Sequence, residues 1–198
     1  MKRTEAFSLI HKIRDENTIV VSVFSSAEDW SKISNHPLDF YSVGAMGQAS
    51  SMGLGFAIGM PNHKIIVLDG DGSLMMNLGS IITMASVAPK NLIYCVCQNN
   101  DYECIGSYPV PGHSQVNFSE IARGSGFKKI YEFKNVDDLA LSIENLMLEP
   151  GPVFVTLHVE VEKRTGKKED NLDDILSLYS TRFIDKMNEI TNKEMRIQ

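Results

Sequence analysis

Asp69-Gly70-Asp71-Gly72-Ser73 stands between one apolar run, Ile65–Leu68, and a second that begins at Leu74. Aspartate and glycine together do two different jobs. In a plain turn, Asp bonds its own backbone and Gly takes up dihedral angles that other residues avoid. In a ligand site, Gly70 and Gly72 would let the backbone approach an anion, and Ser73 would open a helix whose N-terminus attracts negative charge. Asp71 would repel a phosphate there unless a divalent cation lay between them. Mg2+ meets that need, since it takes about six oxygens and commonly joins a few protein oxygens to phosphates. It also requires a second set of oxygens, and Asn99-Asn100 directly follows the next apolar run, Asn91–Gln98.

The remaining elements must bring those two segments together. Residues 4–16 predict a helix with Ala6, Leu9, Ile10 and Ile13 on one face. Strands are expected over 18–24, 39–43, 64–69, 91–98, 128–133 and 152–161. Helices are expected over 48–60, 73–87, 118–127 and 135–148, the last capped by Asn135. Strands separated by helices imply an α/β fold, a doubly wound and mostly parallel sheet with helices on both faces. In such folds ligands sit at the carboxyl ends of strands near a topological switch point, which is where Asp71 and Asn100 fall.

Gly70-Asp71-Gly72-Ser73 followed at this distance by Asn99-Asn100 resembles the thiamin-diphosphate and magnesium signature of the thiamin-dependent enzymes. Carried over residue by residue, the resemblance implies that Asp71, the Asn100 side chain and the Tyr102 carbonyl bind Mg2+. Gly70, Gly72 and Ser73 would hold the diphosphate. Val43-Gly44-Ala45-Met46-Gly47 resembles the segment lying under the bent cofactor in that family. There Met46 would hold the bend and the Gly44 carbonyl would accept from the 4′-amino group, with Ala45 between them. That bend serves the family's chemistry by bringing the amino group to the thiazolium carbon that attacks a 2-oxo acid. Without that resemblance Met46 reads as a core methionine. Residues 1–160 resemble more narrowly the sulfopyruvate decarboxylase beta-subunit and phosphonopyruvate decarboxylase branch. Two departures bear on the substrate: Gly106–Val110 replaces that branch's Gly-Gly-Gln-Pro-Thr-like stretch, and the tail after residue 170 differs.

The family activates its cofactor with a glutamate on a separate pyrimidine-binding domain. Too few residues precede Gly44 to form one, and Glu5, Glu16 and Glu28 fall in the first helix and strand region. The resemblance therefore implies a split enzyme, a hetero-oligomer whose companion pyrimidine-binding subunit carries that glutamate and whose substrate is a small 2-oxo acid. Decarboxylation is the expected outcome. A carboligase of the acetolactate-synthase type and a catalytically silent regulatory subunit are the alternatives. His113, in the loop after the asparagines, is a candidate to face the substrate, set against an ordinary exposed loop histidine. His11, His36, His63 and His158 show no metal or triad spacing. Gly53, Gly55 and Gly59 do not meet the dinucleotide-binding order.

Composition sets the bounds. The chain has 198 residues, 43% of them hydrophobic and 22% charged, with a net charge of −6. That balance argues against a nucleic-acid surface, which needs clustered Lys and Arg. No apolar run is long enough to span a membrane and the N-terminus is wrong for a secretory signal, so a cytoplasmic protein is expected. Cys95, Cys97 and Cys104 lack a metal or redox spacing; the first two, on one face of a strand, read as reduced core residues. Residues 1–160 are expected to form the cofactor-binding domain. Residues 161–198 would form a charged linker and a terminal amphipathic helix striped by Leu172, Ile175, Leu176, Tyr179, Phe183, Met187 and Ile190, which either packs on the domain or meets a partner.

Overall fold

The computed structural model describes residues 1–42, 44, 46–113, 115–162 and 172–195, with backbone only for 172–179 and 194–195. Six strands form one parallel sheet: β1 (Ile19–Val23), β2 (Asp39–Ser42), β3 (Ile65–Gly70), β4 (Leu92–Gln98), β7 (Lys129–Phe133) and β8 (Val153–His158). They lie in the order β2-β1-β3-β4-β8-β7. β5 (Asp101–Tyr102) and β6 (Tyr108–Pro109) make a small antiparallel pair after β4. The helices are α1 (Arg3–Ile13), α2 (Phe24–Ile33), α3 (Ala49–Gly59), α4 (Asp71–Met76), α5 (Ser80–Val87), α6 (Phe118–Ser125), α7 (Val136–Leu148) and α8 (Leu172–Met195).

The period of two along each strand sorts the core into two layers. Ile66, Leu68, Ile93, Cys95 and Cys97 face α1, α2 and α7 on one side of the sheet. Ile65, Val67, Leu92, Tyr94 and Val96 face α3, α5 and α6 on the other. Burial on both faces is why the strands read as continuous apolar runs. Cys95 and Cys97 are buried free thiols, as expected of core residues. Asn135 caps α7 by accepting the Asp138 N–H at 2.9 Å.

Three local differences from the sequence pattern have physical causes. The expected helix over 73–87 is two helices: α4 already starts at Asp71, and Asn77–Gly79 interrupt the run because the Asn77 side chain is turned onto the Gly47 carbonyl. α2 gave no apolar stripe, since its inward face carries Ser26 and Asp29 beside Ala27 and Trp30. Gly53, part of a glycine array with no dinucleotide role, serves close packing; a Cβ there would stand 2.2 Å from Val67 Cγ2, so α3 lies directly on the sheet. Among the described residues, no helix is long and apolar enough to cross a membrane.

The terminal helix docks on this fold. Phe183 is buried, 5.1 Å from the Phe40 ring and 5.4 Å from Phe56, and Met187 and Ile190 pack against the same layer. Arg182 donates to Asn35 Oδ1 at 2.6 Å and to the His36 carbonyl at 3.0 Å. α8 thereby covers edge strand β2, which answers the packing question for this half of the stripe. The side chains of Leu172, Ile175, Leu176 and Tyr179, and the charged segment 163–171, lie outside the described residues.

Candidate cofactor site

β2 and β3 flank β1 on opposite sides, so the connections leaving β1 and β2 diverge and open a crevice at the carboxyl ends of β1 and β3. A pocket lies there. Its lining includes Phe24, Ser25 and Ser26 at the start of α2, Met46, the Gly70–Ser73 turn, and Asn99, Asp101, Tyr102 and Glu103 beyond β4. The fold thus unites the two sequence motifs and the Met46 turn. Phe24, which ends the β1 crossover into this crevice, holds φ +46, a left-handed backbone conformation that concentrates at functional sites.

Asp71 is the buried anion of the pocket. Its Oδ1 accepts the Gly72 N–H at 2.8 Å, and its Oδ2 accepts the N–H groups of Asn99 at 3.1 Å and Asn100 at 2.6 Å. Asn100 reaches this geometry at φ +63, which Asn tolerates better than most residues. Burial nevertheless pushes the Asp71 carboxyl up to about 6, against the pull of those three bonds. The Tyr102 ring packs on Gly72, where a Cβ would lie 2.3 Å from Tyr102 Cε1; only glycine fits that contact. The Tyr102 carbonyl accepts the Ser107 N–H at 3.1 Å.

Other expected residues fall as follows. Met46 is half-buried in a turn, Gly44 is exposed with open space around its Cα, and Ala45 lies outside the described residues. The Ser73 hydroxyl is engaged, accepting the Gly47 N–H at 3.0 Å, and Ser73 stands in the first turn of α4. Gly70 is open, and its N–H donates to Asp69 Oδ1 at 2.8 Å. The Asn100 side chain accepts from Gln98 Nε2 at 3.1 Å and, with His113, lines a neighbouring polar pocket of about 370 Å3. Asn100 thus bonds Asp71 of the first pocket through its backbone N–H, while its side chain lines the second pocket with His113.

Sequence reasoning missed the polar floor. Arg3 is buried, donating to Asp29 Oδ2 at 2.8 Å and to Glu103 Oε2 at 2.7 Å. Glu103 Oε1 accepts the Glu162 N–H at 2.8 Å. Burial raises the Glu103 carboxyl, but Arg3 and that N–H outweigh it and hold the group below the usual range. The available signal was Arg3 itself, spaced with Ala6, Phe7 and Ile10 on the inward face of α1. Ser25 and Ser26 carried no such signal.

The donor set suits a divalent metal bridging a phosphate. Arg3 is the one cation among the described lining residues, against Asp71, Asp101 and Glu103. Asp101 Oδ1 is buried and has no hydrogen-bond partner. A pocket so charged would reject a diphosphate without a cation. Among the described residues, no three His, Cys, Asp or Glu side chains cluster as a metal site. Were Mg2+ bound here, amide, carbonyl and ligand oxygens would complete its shell. The enclosed space is about 40 Å3, far below the several hundred that bury a cofactor-sized molecule.

Residues 25–157 match the family model described as thiamine pyrophosphate enzyme, C-terminal TPP binding domain. The chain belongs to that family. It is 33% identical over 162 residues to sulfopyruvate decarboxylase subunit beta of Methanothermobacter thermautotrophicus, covering 82% of this chain and 83% of that one. It is 30% identical over 151 residues to phosphonopyruvate decarboxylase of Streptomyces viridochromogenes, covering 76% of this chain but 38% of that protein. Among solved structures it resembles the thiamine diphosphate-dependent 4-hydroxybenzoylformate decarboxylase of Rhodococcus jostii RHA1. That match has a TM-score of 0.71 at 16% identity, over 83% of this chain and 33% of the other.

Proposed function

We propose that this chain is the diphosphate-binding subunit of a split, thiamin-diphosphate-dependent 2-oxo acid decarboxylase of the sulfopyruvate/phosphonopyruvate type. Family membership and a relative named as subunit beta support that reading. The observation that carries it is the crevice itself: a buried carboxylate at the switch point, bordered by Met46, in a pocket too small to enclose the cofactor alone. The rest of the cofactor must be covered by another protein surface, and a pyrimidine-binding companion with an activating glutamate is the surface the reading requires.

Asp71 and the Tyr102 carbonyl hold Mg2+ in this reading. Asn100 joins them by turning its amide from Gln98 toward Asp71. The Gly72-Ser73 segment at the start of α4 takes the diphosphate through the Ser73 N–H, since the Gly72 N–H already bonds Asp71 Oδ1, with Gly70 leaving the approach open. Met46, with Gly44 and Ala45, supports the bound cofactor from below. Thiamin diphosphate, when bound, supplies an electron sink for breaking the bond between a carboxylate and a carbonyl carbon. His113 faces the polar pocket across Asn100 and is the candidate to meet the substrate. Two buried thiols, with Cys97 pushed up to about 12 by burial and so kept protonated, suit a reducing compartment such as the cytoplasm.

The test is reconstitution. This chain alone is expected to release no carbon dioxide from sulfopyruvate, phosphonopyruvate or pyruvate, and a pyrimidine-domain companion to restore release. Asp71→Ala is expected to keep the fold and lose calorimetric binding of thiamin diphosphate with Mg2+. Turnover by the purified single chain would overturn the split-site reading, and unchanged binding in Asp71→Ala would overturn the metal assignment. Analysis for acyloin against aldehyde separates carboligation from decarboxylation.

A further inference from the structure

The segment that carries Tyr102 leaves β4 as a loop and folds back on itself as the β5–β6 hairpin. Inside the hairpin, the Tyr102 carbonyl accepts the Ser107 N–H at 3.1 Å, and the Asn100 carbonyl accepts the Val110 N–H at 3.2 Å. Those bonds shape the hairpin but cannot locate it on the domain, because both partners move together. Location comes from ties to other elements. In front, Asp71 Oδ2 accepts the Asn99 and Asn100 N–H groups, and the Tyr102 ring lies on Gly72. Behind, the Glu103 side chain turns inward and is buried.

Glu103 directly follows Tyr102 and opens a single 3-10 turn, Glu103–Ile105. Its two oxygens go to different parts of the fold. Oε2 accepts from Arg3 Nη2, at the start of α1, at 2.7 Å, and Oε1 accepts the Glu162 N–H, just past β8, at 2.8 Å. Arg3 is itself held from another side, donating through Nη1 to Asp29 Oδ2 of α2 at 2.8 Å. A buried ion pair is a costly way to gain stability, since apolar side chains of similar volume often do as well. Its geometry is the part an apolar pair would not reproduce.

We propose that Glu103 is a positioning residue for the Tyr102 carbonyl, acting through the peptide that the two residues share. A carbonyl has two lone pairs, so the Ser107 N–H leaves one for a cation. It has no rotamer of its own, and the direction of that oxygen is set by the peptide plane between Tyr102 and Glu103. Mg2+ demands near-octahedral oxygens at about 2.1 Å, whereas Ca2+ takes about six to eight in flexible geometry. Loosening that peptide therefore costs Mg2+ more than Ca2+. The metal role rests on the reading of the Tyr102 carbonyl as a Mg2+ ligand under the proposed function; the tie to Arg3 and Glu162 does not.

NMR on the isolated chain tests the tie without cofactor or companion. A Cβ on Gly72 would stand 2.3 Å from Tyr102 Cε1, so one Gly72 α-proton points at the ring and is expected to carry a ring-current shift. Glu103→Ala is expected to remove at least half of that shift and to speed Glu162 amide exchange at least fivefold, while the amides of β3 keep their protection. Glu103→Gln keeps the volume and one acceptor. It is expected to lose a smaller part of the shift, and it replaces Glu103→Ala if that variant does not fold.

Calorimetric titration of Mg2+, and separately of Ca2+, into the chain with thiamin diphosphate present tests the role. Glu103→Ala is expected to weaken Mg2+ binding at least tenfold and Ca2+ binding less than threefold, and Glu103→Gln to show the same order with a smaller gap. An unchanged Gly72 shift, or unchanged Mg2+ affinity, overturns the positioning role and leaves the proposed function standing. Equal losses with the two metals make Glu103 a structural residue and overturn the proposal as well. A wild-type chain that binds neither metal with thiamin diphosphate contradicts the proposed function and removes the metal role with it, while the Gly72 shift still decides whether Glu103 holds Tyr102.

Discussion

Replacing Arg3 with Met removes the only cation that the described residues place on the pocket floor, and the structure sets the size and the pH dependence of the result. Two charge-assisted bonds, at 2.8 and 2.7 Å, are lost. The Asp29 and Glu103 side chains are 5% and 1% exposed, so both carboxylates stay in a medium that solvates them poorly. Breaking a buried ion pair by removing one partner typically costs about 3–5 kcal/mol, a large part of the roughly 5–15 kcal/mol by which a domain is stable. In the wild type Glu103 lies below its ordinary value, so its contribution is present at neutral pH and is lost as pH falls through that depressed value. Without Arg3, burial is opposed by the Glu162 N–H but no longer by the guanidinium, and the same carboxyl rises. The variant is then weakest at neutral pH and regains stability in acid. Urea unfolding of both proteins at pH 5 and pH 8 reads the two slopes. A deficit under about 1 kcal/mol at pH 8, or a deficit no smaller at pH 5, would refute the idea that Arg3 stabilises these two buried carboxylates.

Gly53→Ala places a methyl 2.2 Å from Val67 Cγ2 in a backbone-to-sheet contact that cannot relax cheaply. A loss of about 1–3 kcal/mol is expected from overpacking, measured by the denaturation midpoint, with cofactor affinity following only the fraction folded. Met46→Ala in the assembled enzyme is expected to cut kcat by more than tenfold while thiamin-diphosphate affinity changes by less than threefold, since orientation at the reacting centre costs rate rather than anchoring. Equal losses in both, read from steady-state kinetics and calorimetry, would make Met46 a binding residue instead.

The apolar runs of this chain sufficed to write down an α/β fold, because strands buried on both faces between helices leave few other architectures. The Gly70–Ser73 turn and the Asn99-Asn100 pair were legible for a related reason. Each combines residue types that suit both a tight strand end and an oxygen-seeking ligand, and both motifs are local in sequence. α2 was not legible, since its inward face is polar, and the polarity makes sense only once Arg3 from α1 and Glu103 from beyond β4 are brought to Asp29. The clamp on Gly47 was equally hidden: Ser73, which accepts its N–H, and Asn77, which donates to its carbonyl, are ordinary residues wherever they stand in a sequence. Tertiary structure alone decided that both backbone amides of the asparagine pair face the carboxylate while the Asn100 side chain lines the pocket of His113, and that Phe183 seats the last helix on the domain's own edge strand. Hydrophobic periodicity is a property of neighbours along the chain, whereas pairing a buried charge depends on groups that meet only after the sheet has formed.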